Sequence, residues 1–422
     1  MNCSMIARIS RYTLKLAILF SALTLTTMVH AGDKITILHS FHGGTGTGNP
    51  AFQLVADSSG NLYGTTFWGG NFKGCKGQGC GVVYRLSPNG TGWTNTVLYQ
   101  FPGYKGGTEP YNLILDSAGN LYGELAQGGT YGNGLVFELS PTASGPWTFT
   151  SLYEFTGGTD GGLPNGGLVF DAGGNLYGTT HYGGKGSGVG TVFELSPASG
   201  GGWTETVLYD FFSQQCFATY YPNAGVVFDA AGNLYGTTAG GNGAVYQLKP
   251  GSGAWTCVSL YAFQGTDGLV PEAGVTLDAA GNIYGTTSAG GAHSQGTVFE
   301  LSPNSSGSYT FNPVYTFNGS SSGGNSYYPV LVDSSGNIYG SALSGPNNWG
   351  VVFELTHAGS GWTYGLLHVF TGKYDGGNPN GLIFDSAGNL YGVTNYGDNA
   401  GCINQSGCGA VFKLSPNAAA RK

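Results

Sequence analysis

Charge is the scarcest feature of this sequence. Only 9% of its 422 residues are Asp, Glu, Lys or Arg, with 14 basic residues against 22 acidic ones. Holding a phosphate backbone or an anionic lipid surface takes clustered Lys and Arg, so nucleic acid and membranes are excluded as expected partners. Long apolar runs are limited to LAILFSALTLTTMV (16–29), shorter than the ~20 residues a spanning helix needs. Arg8, Arg11 and Lys15 precede that run and VHA ends it at Ala31, so residues 1–31 read as a secretory signal peptide. Its loss takes three basic groups and no acidic one, leaving 11 against 22 and a formal charge of −11. Enzyme motifs are missing as well: there is no HExxH, no Walker A loop and no His pair at helical spacing. The lone GxSxG match, GSSSG at 319–323, sits in a low-complexity loop with no helix after it. No catalytic residue, metal or cofactor is assigned.

What the chain has in excess is glycine, 79 residues of it, and 27 tyrosines. Disorder is the bland reading of such a composition, but short Val, Ile, Leu, Phe and Tyr runs recur throughout, enough to build a core. They recur with a phrase, DxxGN(L/I)YG, whose Asp falls at Asp57, Asp116, Asp171, Asp229, Asp278, Asp333 and Asp385. The seven copies are 59, 55, 58, 49, 55 and 52 residues apart, which marks a repeat architecture. The third copy shows the unit: GLVFD, NLYGTT, GTVFELS and WTETVLYDF, four strand-like segments. GLVFD is a continuous apolar run suited to burial on both faces, and the other three alternate. Asp171 caps a tight turn, a Gly supplies positive φ, and Ser196-Pro197 ends the third strand. The alternative, that the seven Asp are calcium ligands, lacks the several carboxylates such a site needs.

Four strands repeated seven times predict an all-β, seven-bladed β-propeller of four-stranded antiparallel blades over residues 32–417, with a short tail at 418–422. The chain ends support closure. ITILHSF (35–41) matches an outer strand such as TVLYQF (96–101), and the last unit has only its first three strands. The N-terminal strand is expected to complete the last blade and leave no open edge. The phrase DxxGNLYGTTxxGG followed by GTVFELSP resembles the GloVer tandem-repeat family of secreted bacterial proteins, more distantly similar to NHL-type propeller repeats. The resemblance covers residues 35–417 and implies a propeller outside the cytoplasm. Members of that family often carry a separate C-terminal anchor, and none follows here before Lys422, so free release is expected.

Cys3 leaves with the signal, and the remaining six cysteines, an even number in an exported chain, favour disulfides. Local bridges Cys75–Cys80 and Cys402–Cys408 follow from the spacing, leaving Cys216–Cys257. Units one and seven adjoin in a closed ring, so a four-thiolate zinc site is the alternative for the first two pairs.

A Pro precedes the innermost strand of each unit: Pro50, Pro110, Pro164, Pro222, Pro271, Pro329 and Pro379. The residues after it include Asn165, Asn223, Glu272 and Asn380, with Ala51, Tyr111 and Val330 completing the set. They are expected at one mouth of the channel. Glu109, Asp160, Asp267 and Asp375 lie earlier in the same loops, and Phe67, Trp68, Tyr182 and Tyr396 come from the loops between second and third strands. Amides, carboxylates and aromatic planes together suit a neutral polar ligand such as a glycan. The plainer reading makes them turn residues of the repeat. The leading expectation is a monomeric, secreted or periplasmic, non-catalytic propeller that binds a glycan, polymer or protein through its loop-rich face. A hydrolase or lyase at the channel mouth and a structural envelope or matrix component are the alternatives.

Overall fold

A computed structural model describes residues 28–29, 34–42, 47–70, 75, 77, 79–143, 145–186, 188–212, 216, 220–359, 361–397 and 407–415. The signal-peptide reading falls almost wholly outside these residues, as do Cys402 and the tail. Seven sheets follow one another along the chain, antiparallel except where Met28–Val29 pairs in parallel with Gly361–Val369. Blade one runs through Thr47–Ala56, Leu62–Gly69, Val82–Asn89 and Gly92–Gln100, from the axis outward. Blade seven takes Ile383–Phe384, Leu390–Tyr396 and Ala410–Ser415 from the C-terminal end of the chain, and Lys34–Ser40 from its start. The register Lys34↔Ser415, Ile37↔Phe412, Ser40↔Ala410 completes the sheet, so the ring closes as the two chain ends imply.

The repeated phrase builds the same turn seven times. In blade one the Asp57 carboxylate accepts the Ser59 and Asn61 N–H groups, each at 2.9 Å, the Asn61 amide at 2.7 Å and the Tyr63 hydroxyl at 3.0 Å. The set recurs in the last blade around Asp385. The bonds go to residues two, four and six along, because the side chain spans the whole turn. The carboxylate is fully used within the turn.

Burial differs from the alternation expected. The second strand is buried throughout (Leu234–Thr238, Ile283–Thr287), whereas the inner pair Val169–Phe170 is half-buried. Each blade is sandwiched between two others, so its middle strands have no solvent face, while the inner strand borders the channel. Seven hydrophobic clusters result, one at every joint between adjacent blades. At each joint the Phe ending one outer strand meets the third-strand aromatic of the next blade edge-on, with centroids 5.1–5.4 Å apart. Phe41–Tyr84 is the contact that joins blade seven to blade one.

These rings explain the Gly that follows the Tyr of the phrase. A Cβ at Gly285 would lie 2.5 Å from the Phe299 ring, and one at Gly340 would lie 2.4 Å from Phe353. Overpacking a core typically costs about 1–3 kcal/mol. Gly285→Ala is therefore expected to lower the thermal midpoint clearly, and an unchanged melt would show that Phe299 has room to retreat.

A second joint device involves the prolines. A Cβ on the Gly before a third strand would lie 2.1–2.7 Å from the Pro of the next blade, as at Gly243 against Pro271 and Gly409 against Pro50. The joint between blades five and six departs from this. Gly296 there faces only Thr287 and Ser288 backbone, and the position of the Pro is taken by Ser326. Pro329, read from the sequence as the equivalent, lies three residues too late. The residue before the Pro or Ser is left-handed in every blade: Asn49, Glu109, Leu163, Tyr221, Val270, Asn325 and Asn378 have φ between 52 and 60°. Such backbone is costly for a branched residue like Val270. It is fixed by its N–H to the preceding blade, here Asn242 O at 3.0 Å, and by its carbonyl, which accepts the Ser288 N–H at 3.1 Å.

Two disulfides join described residues, Cys75–Cys80 and Cys216–Cys257, as paired from the sequence. Cys408 is also disulfide-bonded, and its expected partner Cys402 lies outside the described residues. No helix among the described residues is long and apolar enough to cross a membrane.

Candidate functional site

The inner strands converge on the axis because their residues there are small. Gly225 N donates to Gly166 O at 2.6 Å, and a Cβ at Gly381 would sit 3.0 Å from the Gln53 side chain. Gln53 spans the gap from blade one, its amide donating to Leu382 O at 2.6 Å and its N–H to Asn112 Oδ1 at 3.1 Å. Around this narrow floor the loops open into a cavity of about 770 Å³.

Six of the expected residues line its wall: Asn165, Asn223, Glu272, Tyr182, Tyr111 and Phe67. Tyr327 lines it too; it follows Ser326 and so occupies the place assigned from sequence to Val330, which borders the cavity lower down. Val330 is fully buried. The spacing could have shown this, since Ser326, like Pro50, Pro164, Pro222 and Pro271, stands seven residues before the Asp of its turn.

The other expected residues go elsewhere. Asn380 is fully buried, its amide on Pro50 O at 3.3 Å and Asn395 Oδ1 at 2.9 Å, so it ties blade seven to blade one. That corrects the expectation of a solvent-open mouth residue. Asp160 accepts the Thr156 N–H at 2.8 Å and the Tyr153 hydroxyl at 3.2 Å. Asp267 takes the Gln264 N–H at 2.8 Å and the Tyr261 hydroxyl. Asp375 takes the Thr371 N–H at 3.0 Å and His368 Nε2 at 3.1 Å. All three carboxylates fold back on the turn that leaves their outer strand. Trp68 is half-buried, and the wall is formed by its neighbour Phe67.

Two aromatic groups flank the cavity. Phe52 stacks on Tyr111 at 4.1 Å, with Phe67 edge-on to Phe52 at 5.3 Å. Across blades three and four, His181 stacks on Tyr221 at 5.0 Å with Tyr182 against its edge at 4.3 Å. His181 Nδ1 faces Asn223 Oδ1, so Nδ1 carries the proton and Nε2 is left as an acceptor. Burial lowers the pKa of this imidazole, only partly offset by Asn223. Burial raises the pKa of Glu272. It also pushes the Tyr111 phenol up to about 12, although the Asn165 amide donates to its oxygen. Asn165 Oδ1 is itself buried, with no partner among the described residues. Every exposed Tyr and Phe side chain among the described residues, Tyr104, Tyr131, Tyr182, Phe212 and Tyr374, lies in the loops of this same face. The turns of the opposite face carry none among the described residues. No group of three or more His, Cys, Asp or Glu suited to a metal ion occurs among the described residues.

Seven radial four-stranded blades around a narrow axis make this a tandem-repeat β-propeller with one loop-rich face. The chain belongs to the Gloeobacter/Verrucomicrobia repeat family, whose profile matches residues 21–241, 73–299 and 271–422. No curated protein matches it. Among solved structures it is similar to the extracellular domain of a protein assigned as a one-component system of B. thetaiotaomicron, with 12% identity and TM-score 0.52 over 90% of this chain and 40% of that one. PorZ, a surface component of the type-IX secretion system of Porphyromonas gingivalis, matches at 15% identity and TM-score 0.51 over 88% of this chain and 47% of that one. A gluconolactonase of Xanthomonas campestris matches at 13% identity and TM-score 0.42, over 74% and 87% of the two chains. The chain spans less than half the length of the first two, and these likenesses concern the fold.

Proposed function

We propose that the protein is an exported binding module that takes a neutral glycan in the cavity of its loop-rich face. The observation that carries this reading is the wall itself. Tyr111, Tyr327 and Tyr182 offer ring faces, Asn165 and Asn223 offer amides, and no Lys or Arg is among the lining residues. Sugar rings stack on aromatic planes and exchange hydroxyl hydrogen bonds with amides, whereas phosphate or uronate would call for cations. The disulfides and the basic-then-apolar N-terminus support export.

A second reading rests on one pair of groups. His181 with a free Nε2 and Glu272 with a raised pKa are a base and an acid in the same cavity, the pattern of a hydrolase or lyase. A glycan array followed by titration calorimetry and a hydrolase substrate panel separates the two. Tyr182 is 46% exposed and Glu272 accepts no hydrogen bond among the described residues, so replacing both by Ala is expected to leave melting within about 0.5 kcal/mol. The same double change should weaken glycan binding by roughly tenfold or more, about 1.4 kcal/mol. Glycan affinity untouched by it rejects this cavity as the site, and turnover that His181→Ala abolishes favours the enzyme.

A further inference from the structure

The residue after the Gly of NLYG is Thr65, Thr179, Thr237, Thr286, Ser341 or Val393 in six blades, and Glu124 in blade two. The hydroxyl versions stitch joints: Thr179 Oγ1 donates to Ala224 O at 3.0 Å, Thr237 Oγ1 to Ala273 O at 2.8 Å and Ser341 Oγ to Asn380 O at 2.8 Å. Glu124 does something different. It is fully buried, its Oε2 accepts the Gly167 N–H at 2.7 Å, and its Oε1 lies beside Gly178 with no partner among the described residues. Gly166 and Gly167 belong to the cavity floor and continue directly from Asn165 at the wall. The segment is held on its other side by Gly225 N on Gly166 O.

We propose that Glu124 is a positioning residue for the cavity: as a neutral acid it fixes Gly167, and through it Asn165, and although a carboxylate accepts the Gly167 N–H more strongly, its charge in this dry joint draws in water and loosens the segment. The groups facing it are few. Tyr111 comes from the inner strand of its own blade, with Glu109 beyond, Val136 is its neighbour on the third strand, and Gly167 and Gly178 come from blade three. Val136 and the glycines carry no charge. The only ion pair among the described residues is His368–Asp375, so no cation compensates a charged Glu124. A lone buried carboxylate is strongly disfavoured, and burial accordingly raises this carboxyl to about 8. Deprotonation therefore draws water into the joint between blades two and three, beneath the floor.

The inference takes this cavity as the binding site, but its test needs no ligand. Amide exchange of the Gly166–Gly167 peptide is followed in the full mature chain near pH 6 and near pH 9, corrected for the intrinsic rate. Wild type should lose roughly tenfold or more of its protection at the higher pH, and Glu124→Gln should lose none. Glu124→Thr, which restores the hydroxyl of the other blades but cannot reach Gly167 N, should exchange fast at both. A pH response shared by wild type and the Gln variant, or Thr protection equal to wild type near pH 6, overturns the role given to Glu124. Failure of every glycan to bind removes the binding reading and leaves this exchange result standing.

Discussion

A chain that begins after residue 42 should fail to reach the native melting temperature, and its first structure lost should be that of blades seven and one. Deleting Lys34–Phe41 removes the outer strand paired with Ala410–Ser415 and the Phe41 ring packed on Tyr84. Phe41 is 1% exposed, and Ile35, Ile37 and Leu38 pack against the clusters on either side of blade seven. Fully burying one such side chain contributes about 1.5–3 kcal/mol, and the three half-buried ones contribute less, so together they are a large share of the roughly 5–15 kcal/mol of an ordinary domain. The remaining edge of Ala410–Ser415 would also be left unpaired and prone to association. Phe41→Ala alone should cost about 3–5 kcal/mol. Denaturant melts of the truncation and of Phe41→Ala check both values, and coincident curves with the intact chain would refute closure by this strand.

The second large effect is on the pH profile. The Glu124 carboxyl sits at about 8 in the folded chain against 4.5 in an unfolded one. A folded-state pKa raised in this way makes the protein most stable below pH 4.5, as far as this group goes. That stability is lost as pH rises through about 8. Between those values the unfolded chain has already released the proton that the folded chain keeps, so stability falls by about 1.4 kcal/mol per pH unit. Over the whole window the loss is of order 5 kcal/mol. Glu124→Gln should remove this slope, whatever its amide costs at low pH, and should be more stable than wild type near pH 9. Urea midpoints taken across the range decide it: parallel slopes for the two proteins would mean that Glu124 is ionised in the native state.

Most of the architecture was legible because the propeller repeats its own instructions. Seven Asp turns, a Gly under each ring and a final Phe on each outer strand are local features, and a period of about 55 residues aligns them. The complementary ends were readable for the same reason. The site was less so, because identical residue types at one repeat position meet different neighbours. Asn165 reaches the wall, while Asn380 is claimed by Asn395 from the next loop of its own blade and by Pro50 across a joint. Asp160, Asp267 and Asp375 looked free, yet each follows an outer-strand Tyr or His by six or seven residues, a spacing that returns the carboxylate to the strand end. Asn223 stood out in the sequence, but its meeting with His181 depends on how blades three and four sit against each other. Glu124 stood in plain view as the acid among hydroxyls and was passed over because the phrase was read as a turn alone.

The Ser at position 326 has a mechanical consequence. A closed ring carries tension around its circumference as a hoop does, and the hoop yields where its fastening differs from the rest. Six fastenings set a pyrrolidine against a glycine, beside cross-joint bonds such as the Asn49 amide on Asn395 O at 3.0 Å. The seventh keeps the bonds without the wedge: the Asn325 amide lies on Ser288 O at 3.0 Å and the Thr276 hydroxyl on Val330 O at 2.5 Å, while the Thr286 hydroxyl has no partner among the described residues. Denaturant should pry this seam first. Glu272 and Tyr327 stand on its two banks, so the cavity widens whenever the hoop slackens.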